Sequence, residues 1–167
     1  MIRRYQTLVS TQDEARKLAP DSPEWTVVVA KEQSGGRGKP GSLWFSPPGG
    51  LYFSVILKPR KNPDDLAPIT LLVAQAVASV LPAKAEIKLP NDLLVNGKKI
   101  CGILTEKTGE ALIIGIGLNV NIETFPAELN ATSLKLETSK TWDLATLLQA
   151  ILAELKKEYS QFLAGKV

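Results

Sequence analysis

Apolar positions recur along this chain with two different periods, and each change of period marks an element. Thr11-Gln12-Asp13-Glu14 has the form of a capping box, which predicts a short helix from Ser10 or Thr11 to about Leu18. Trp25 to Ala30 is compact and β-branched, as a buried strand is. Leu51 to Leu57 alternates as a second strand. From Asp64 to Leu81 apolar residues fall at Leu66, Ile69, Leu72, Val73, Ala76, Val77 and Val80, which is helical spacing, and Pro82 ends it. Glu86 to Leu89 reads as a short strand. Leu93 to Val95 and Lys99 to Glu106 flank Asn96-Gly97, the pair best suited to a two-residue hairpin connection. Ala111 to Asn121 is one more strand, interrupted by Gly115 and Gly117. A closing amphipathic helix carries Leu144, Leu147, Leu148, Ile151, Leu152, Leu155, Tyr159 and Phe162 on one face.

This order lacks a regular βαβ alternation. It predicts an α+β fold, a mixed and mostly antiparallel sheet with flanking helices. No repeat or low-complexity segment divides the chain, and 167 residues supply one sizeable core but not two ordinary ones. Residues 1–167 are therefore expected to form a single domain. Between the strands, Gln33 to Gly50 holds Gly35, Gly36, Gly38, Gly41, Gly49 and Gly50 together with Pro40, Pro47 and Pro48. That density breaks regular structure, and long loops in compact domains tend to be functional or disordered.

Composition narrows the chemistry. The chain has no histidine, which removes Ser/His and Cys/His dyads, imidazole acid–base work and imidazole metal sites. A lone cysteine, Cys101, rules out an internal disulfide and a cysteine-cluster metal site. The net charge of +3 suits an anionic small ligand at least as well as a nucleic acid. No stretch is long and apolar enough for a membrane span, and Met1 to Gln6 has no apolar run behind its charges. The expectation is a soluble, cytoplasmic protein.

Three segments look unlike scaffold. In Gly35-Gly36-Arg37-Gly38-Lys39-Pro40-Gly41, glycines let backbone amides approach an anion while Arg37 and Lys39 add charge. It is neither a Walker loop nor a dinucleotide fingerprint; a flexible basic surface loop has the same composition. Lys88-Leu89-Pro90-Asn91-Asp92 runs into the hairpin, and the Asn-Gly turn lies midway between Asp92 and Lys99. The two should lie roughly across from each other, either as a catalytic carboxylate–lysine pair or as a plain cross-strand salt bridge. In Gly115-Ile116-Gly117-Leu118-Asn119-Val120-Asn121, strand glycines mark either a close approach of a ligand or a bulge.

These segments, with Trp44-Phe45-Ser46-Pro47-Pro48-Gly49-Gly50 and Lys99-Ile100-Cys101-Gly102-Ile103-Leu104-Thr105-Glu106 in the same order, resemble the catalytic domain of biotin–protein ligases from about Ser10 to the last helix. The resemblance implies the fold shared with class II aminoacyl-tRNA synthetases. It also implies an ATP-dependent biotin–[acetyl-CoA-carboxylase] ligase that uses biotin, ATP and Mg²⁺. Biotin is activated to biotinyl-AMP and passed to a lysine of the biotin carboxyl carrier protein. Neither step needs a protein nucleophile, which fits the missing histidine.

By the same resemblance, Lys99, Arg37 and Asp92 are the catalytic candidates. Ser10, Thr11, Gln12, Gln33, Arg37, Gly38, Lys39 and Lys99 would face biotin; Arg37, Trp44, Asn91, Lys99 and Asn119 would face the nucleotide. Trp25 and Trp142 are expected in the core. Leu89 replaces the family's usual tryptophan, while Pro40 and Ser42 stand at commonly basic loop positions, which weakens phosphate neutralisation. No helix-turn-helix module is expected before Tyr5 and no small β domain after the last helix, so DNA binding is not expected. A homodimer is left open. The alternatives are a lipoate or octanoate ligase or transferase of related fold, and a non-catalytic biotin- or nucleotide-binding module.

Overall fold

A computed structural model describes residues 1–59 and 66–165. Along the chain they form β1 (Ile2–Leu8), α1 (Thr11–Leu18), β2 (Thr26–Gln33), β3 (Leu51–Leu57), α2 (Ala67–Val80), β4 (Glu86–Lys88), β5 (Asp92–Val95), β6 (Lys98–Thr108), β7 (Ala111–Leu118), α3 (Leu134–Thr138) and α4 (Leu144–Leu163). The seven strands among the described residues make one sheet in the order β1-β2-β3-β7-β6-β5-β4. β1 and β2 are parallel and every other neighbouring pair is antiparallel, the mixed sheet that the sequence predicts.

Side chains alternate across the sheet, and each face has its own cover. Val27, Val29, Phe53, Val55 and Leu57 share one core with α2 and α4. On the opposite face Val28, Ile56 and Ile113 pack with Ala15 and Ala19 at α1. β3 is covered on both sides and buried along its whole length, so its expected alternation of apolar and polar does not translate into one wet face. The exception to its apolar character is Ser54, fully buried on the α1 side.

Several boundaries differ from expectation for identifiable reasons. Thr11 does not cap α1. Ser10 does, its Oγ accepting from the backbone N–H groups of Gln12 and Asp13, a contact generally worth about 1 kcal/mol. β7 runs unbroken through Gly115 and Gly117 and stops at Leu118, short of the expected Asn121. Residues 64–65 of the expected second helix lie outside the described residues; the helix itself spans Ala67–Val80 with a proline in its first turn. β1 and α3 have no counterpart in the sequence reading. Asn96 and Gly97 both take positive φ, 50° and 76°, as a two-residue hairpin turn requires. Trp25, at φ 64°, sits just before β2 rather than in it and packs edge-on against Tyr159 of α4 at 5.7 Å. Trp142 is half-buried against the same core.

Candidate active site

Register decides which side chains share the uncovered part of the α1 face. β3 pairs with β7 so that Ser54 faces Gly115 and Tyr52 faces Gly117; β7 pairs with β6 so that Gly117 faces Gly102, Gly115 faces Leu104 and Ile113 faces Glu106. Asp92 in turn faces Gly102. Lys99 would stand on the other face from Gly102, Leu104 and Glu106 in a regular strand. The register shifts by one residue between Leu93 and Leu94, so that Leu94 pairs with Lys99 while Leu93 pairs with Cys101. That bulge re-aims the strand and places Lys99, Asp92 and Glu106 on one side.

The result is a cleft whose walls include Ser10, Thr11, Gln12, Gln33, Arg37, Gly38, Lys39, Trp44, Asn91, Asp92 and Lys99, drawn from α1, β2, the glycine-rich loop and the β5–β6 hairpin. Asn119 lies just beside it, in an adjoining hollow that shares Trp44 and Lys99 and is lined further by Phe45, Phe125 and Leu129. All the residues singled out by sequence therefore converge on two connected spaces. Ser54 also lines the cleft and Glu106 lies beside it, and neither was assigned a role from sequence; Gly115 and Gly117, expected to mark a close approach or a bulge, line the cleft within an unbroken β7. A hydroxyl in the middle of the apolar run Leu51 to Leu57 was the available signal for Ser54.

At one end of the cleft the polar groups hold one another. Thr11 Oγ1 lies 3.0 Å from Ser54 Oγ, and Ser54 Oγ donates to Gln12 Oε1 at 3.0 Å. Gln12 Nε2 donates to Glu106 Oε2 at 2.9 Å and to the Ile113 carbonyl at 3.1 Å. Gln33 accepts from the Thr11 N–H at 2.8 Å and donates to Ser46 Oγ at 2.9 Å. This end is rigid and rich in hydrogen-bonding groups, suited to a small polar ring and costly to enter for a purely apolar one. Arg37 of the loop reaches the same end. Its guanidinium grips Glu106 with two bonds, at 2.8 and 3.2 Å, and Asp13 with one at 3.0 Å.

The other end is built for charge. Lys99 Nζ lies 2.9 Å from Asp92 Oδ1 and 5.1 Å from the centre of the Trp44 ring. The expected cross-strand pair is thus formed diagonally rather than directly opposite. Asn91 Oδ1 and Trp44 Nε1 are buried without a hydrogen bond, and Asp92 Oδ1, equally buried, has the Lys99 ammonium as its partner. The ion pair is close, yet its alignment leaves Lys99 protons for another acceptor. Trp44 lies flat on β6 and β7: a Cβ at Gly102 would come within 2.7 Å of its ring, and one at Gly117 would overlap it. Cys101 lies beneath this pair on the core side, and burial first, with the neighbouring Asp92 adding, pushes its thiol up, against an opposing pull from Lys99. It stays a neutral core residue.

Gly115 is the counterpart at the polar end, where an added Cβ would sit 2.5 Å from Gln12 Oε1. Alanine inside a strand is ordinarily tolerated, but here Gln12 is held by several bonds and cannot yield. Gly115→Ala should lower stability by roughly 1–3 kcal/mol in urea unfolding. An unchanged or raised midpoint would mean that Gln12 is free to move.

A model of the biotin/lipoate A/B protein ligase family matches residues 5–122. The chain belongs to that family. Among its members, the bifunctional ligase/repressor BirA of Bacillus spizizenii is 42% identical over 175 residues, covering 95% of this chain and 54% of the relative. A biotin–[acetyl-CoA-carboxylase] ligase of Paracoccus denitrificans is 37% identical over 122 residues, covering 66% of this chain and 51% of the relative. The chain thus spans about half the length of the curated relatives it matches. Among solved structures, the biotin protein ligase of Aquifex aeolicus in complex with biotin and ATP superposes with a TM-score of 0.88 at 32% identity, over 98% of this chain and 72% of that one. The Leishmania major enzyme in complex with biotinyl-5-AMP gives a TM-score of 0.78 at 32% identity, over 92% of this chain and 72% of that one. A lipoate-bound protein of Plasmodium falciparum shares the fold alone, with a TM-score of 0.59 at 12% identity. The two solved biotin protein ligases share this fold, and no helix among the described residues is long and apolar enough to cross a membrane.

Proposed function

We propose that this chain is the catalytic domain of a biotin–carrier-protein ligase. The observation that carries the reading is the division of one cleft into a rigid polar end and a charged end. Thr11, Gln12, Gln33 and Ser54 line the first, and Lys99 with Asp92 and Trp44 line the second. A ligand with a ureido ring at one end and a carboxylate at the other fits that order. The relatives' complexes with biotin, ATP and biotinyl-5-AMP support it.

In the proposed reaction a biotin carboxylate oxygen attacks the α-phosphorus of ATP and pyrophosphate leaves. The free amine of a carrier lysine then attacks the carbonyl carbon of biotinyl-AMP and AMP leaves, while the amine loses its proton. Lys99 would offset charge on the α-phosphate, and Trp44 would wall the two ends apart. Asn119, Phe45 and Phe125 would meet the nucleotide in the adjoining hollow. Arg37 is engaged with Asp13 and Glu106, so its part would be to hold the loop rather than to meet phosphate directly.

Mg²⁺ fits this donor set in a limited way. Asn91 Oδ1 is a buried oxygen without a partner beside the Asp92 carboxylate, and both are hard ligands. No cluster of three or more His, Cys, Asp or Glu side chains able to hold a metal occurs among the described residues, so the ion would come mainly on the nucleotide phosphates. It would supply neutralisation of phosphate charge. The acceptor would be the biotin carboxyl carrier protein of acetyl-CoA carboxylase, in the cytoplasm; a homodimer remains part of the same proposal.

The test is ATP–pyrophosphate exchange. Biotin should drive exchange and lipoate should not. Biotin binding without any exchange would favour a non-catalytic module, and exchange driven by lipoate would move the protein to the lipoate branch of its family.

A further inference from the structure

Glu106 lies behind the cleft wall and binds two of the residues that line it, Gln12 and Arg37. It accepts from Gln12 Nε2 at 2.9 Å, from Arg16 Nη2 at 2.9 Å and from both terminal nitrogens of Arg37 at 2.8 and 3.2 Å. These donors come from α1 and from the glycine-rich loop, while Glu106 itself sits on β6. Arg37 adds a bond to Asp13 of α1 at 3.0 Å. The loop is otherwise held lightly in its distal part, by an isolated bridge between Arg37 and Leu43 and by the turn bonds of Gly38 and Ser42.

We propose that Glu106 is a positioning residue that latches the glycine-rich loop onto the rigid polar end of the cleft. The proposal rests on the biotin-ligase reading. The physical argument is charge balance. Arg16 and Arg37 converge on the same carboxylate, and bidentate, charge-assisted bonds are the strong ones. When Glu106 loses its charge, two guanidinium groups share the half-exposed Asp13, and their repulsion drives the loop outward. The same substitution gives the Gln12 Nε2 donor a weaker acceptor in place of the Glu106 carboxylate, so the group that faces the substrate ring loses its orientation. Lys99 and Asp92 lie at the other end and keep their contacts. The latch therefore acts on the substrate held between loop and floor, and not on ATP.

Glu106→Gln keeps the shape of the side chain and removes its charge. In biotin-dependent ATP–pyrophosphate exchange it should raise the KM for biotin by about tenfold, with the KM for ATP and kcat within about twofold of wild type. A merely structural loss would move all three together. Without ligands, trypsin should cut the Arg37–Gly38 bond about tenfold faster in the variant, since cleavage tracks the population of the open loop. Lys39–Pro40 offers trypsin no competing site. Raising salt should increase the biotin KM of the wild type more than that of the variant, because the latch is partly exposed.

Asp13→Asn, at the surface of α1, gives a smaller change in the same direction and decides the matter if Glu106→Gln fails to fold. Wild type that exchanges normally alongside folded variants with unchanged biotin KM and unchanged cleavage would overturn the latch. Wild type that shows no exchange would overturn the ligase reading instead, and the cleavage rates would still test the latch.

Discussion

Lys99→Ala is expected to cut biotin-dependent ATP–pyrophosphate exchange on the order of a hundredfold or more, the usual cost of removing a group aimed at developing charge. Three cations line the cleft, and the structure separates their roles. Arg37 is gripped by Glu106 and Asp13, and Lys39 sits exposed on the loop. Lys99 is half-buried at the inner wall, fixed by Asp92 and by the Trp44 ring. Its position is preset, so little reorganisation is needed when charge grows on the α-phosphate. The loss should fall on kcat more than on the KM for biotin, whose ring is proposed to bind at the other end. Near-normal exchange by Lys99→Ala would remove the lysine from the proposed chemistry and leave it a partner for Asp92 alone.

Where the sequence is explicit, one local interaction decides the structure. The Asn96-Gly97 turn, the helical spacing of α4 and the breaks in Gln33 to Gly50 each depend on neighbours a few residues away. What escaped depends on distant partners. Ile2, Tyr5 and Leu8 of β1 are half-buried while Arg3, Arg4, Gln6 and Thr7 are exposed, a spacing of three that resembles neither period. Its strand conformation comes from parallel pairing with β2, Ile2 beside Val27. α3 is a five-residue turn held by the Ser133 cap and ended by the left-handed Ser139. The site was legible as a set of motifs, but its internal order was not. Glu106 closes the quoted Lys99 to Glu106 segment, yet only the bulge beside Lys99 brings both to one face. No count along the chain reveals that bulge, which lies in the pairing of β5 with β6 while β6 pairs with β7 in continuous register.

Asp92→Asn is expected to separate the two half-reactions. Asp92 lies mostly buried, with Lys99 on one oxygen and the unpartnered Asn91 Oδ1 next to it in sequence. A carboxylate there can serve the incoming lysine amine or the nucleotide side. An amine with an ordinary pKa of about 10.4 is mostly protonated at neutral pH, so a nearby base helps the transfer step most. Asp92→Asn should then still form biotinyl-AMP but transfer it on the order of a hundredfold more slowly at pH 7. That deficit should shrink as pH rises towards 10, because the free amine becomes abundant without help. Adenylation should slow less, through the loosened Lys99 alone. If Asp92 works instead on the nucleotide side, exchange itself fails and added Mg²⁺ partly restores it, since a hard carboxylate ligand has been weakened. Single-turnover measurements of biotinyl-AMP formation and of its transfer to a carrier domain, each across pH, tell the two apart. The geometry favours the transfer step: the Asp92 carboxylate is mostly buried and held beside Lys99, which would place it next to the carbonyl that the amine attacks. A variant that performs both half-reactions at wild-type rates would reduce the pair to a salt bridge on a sheet.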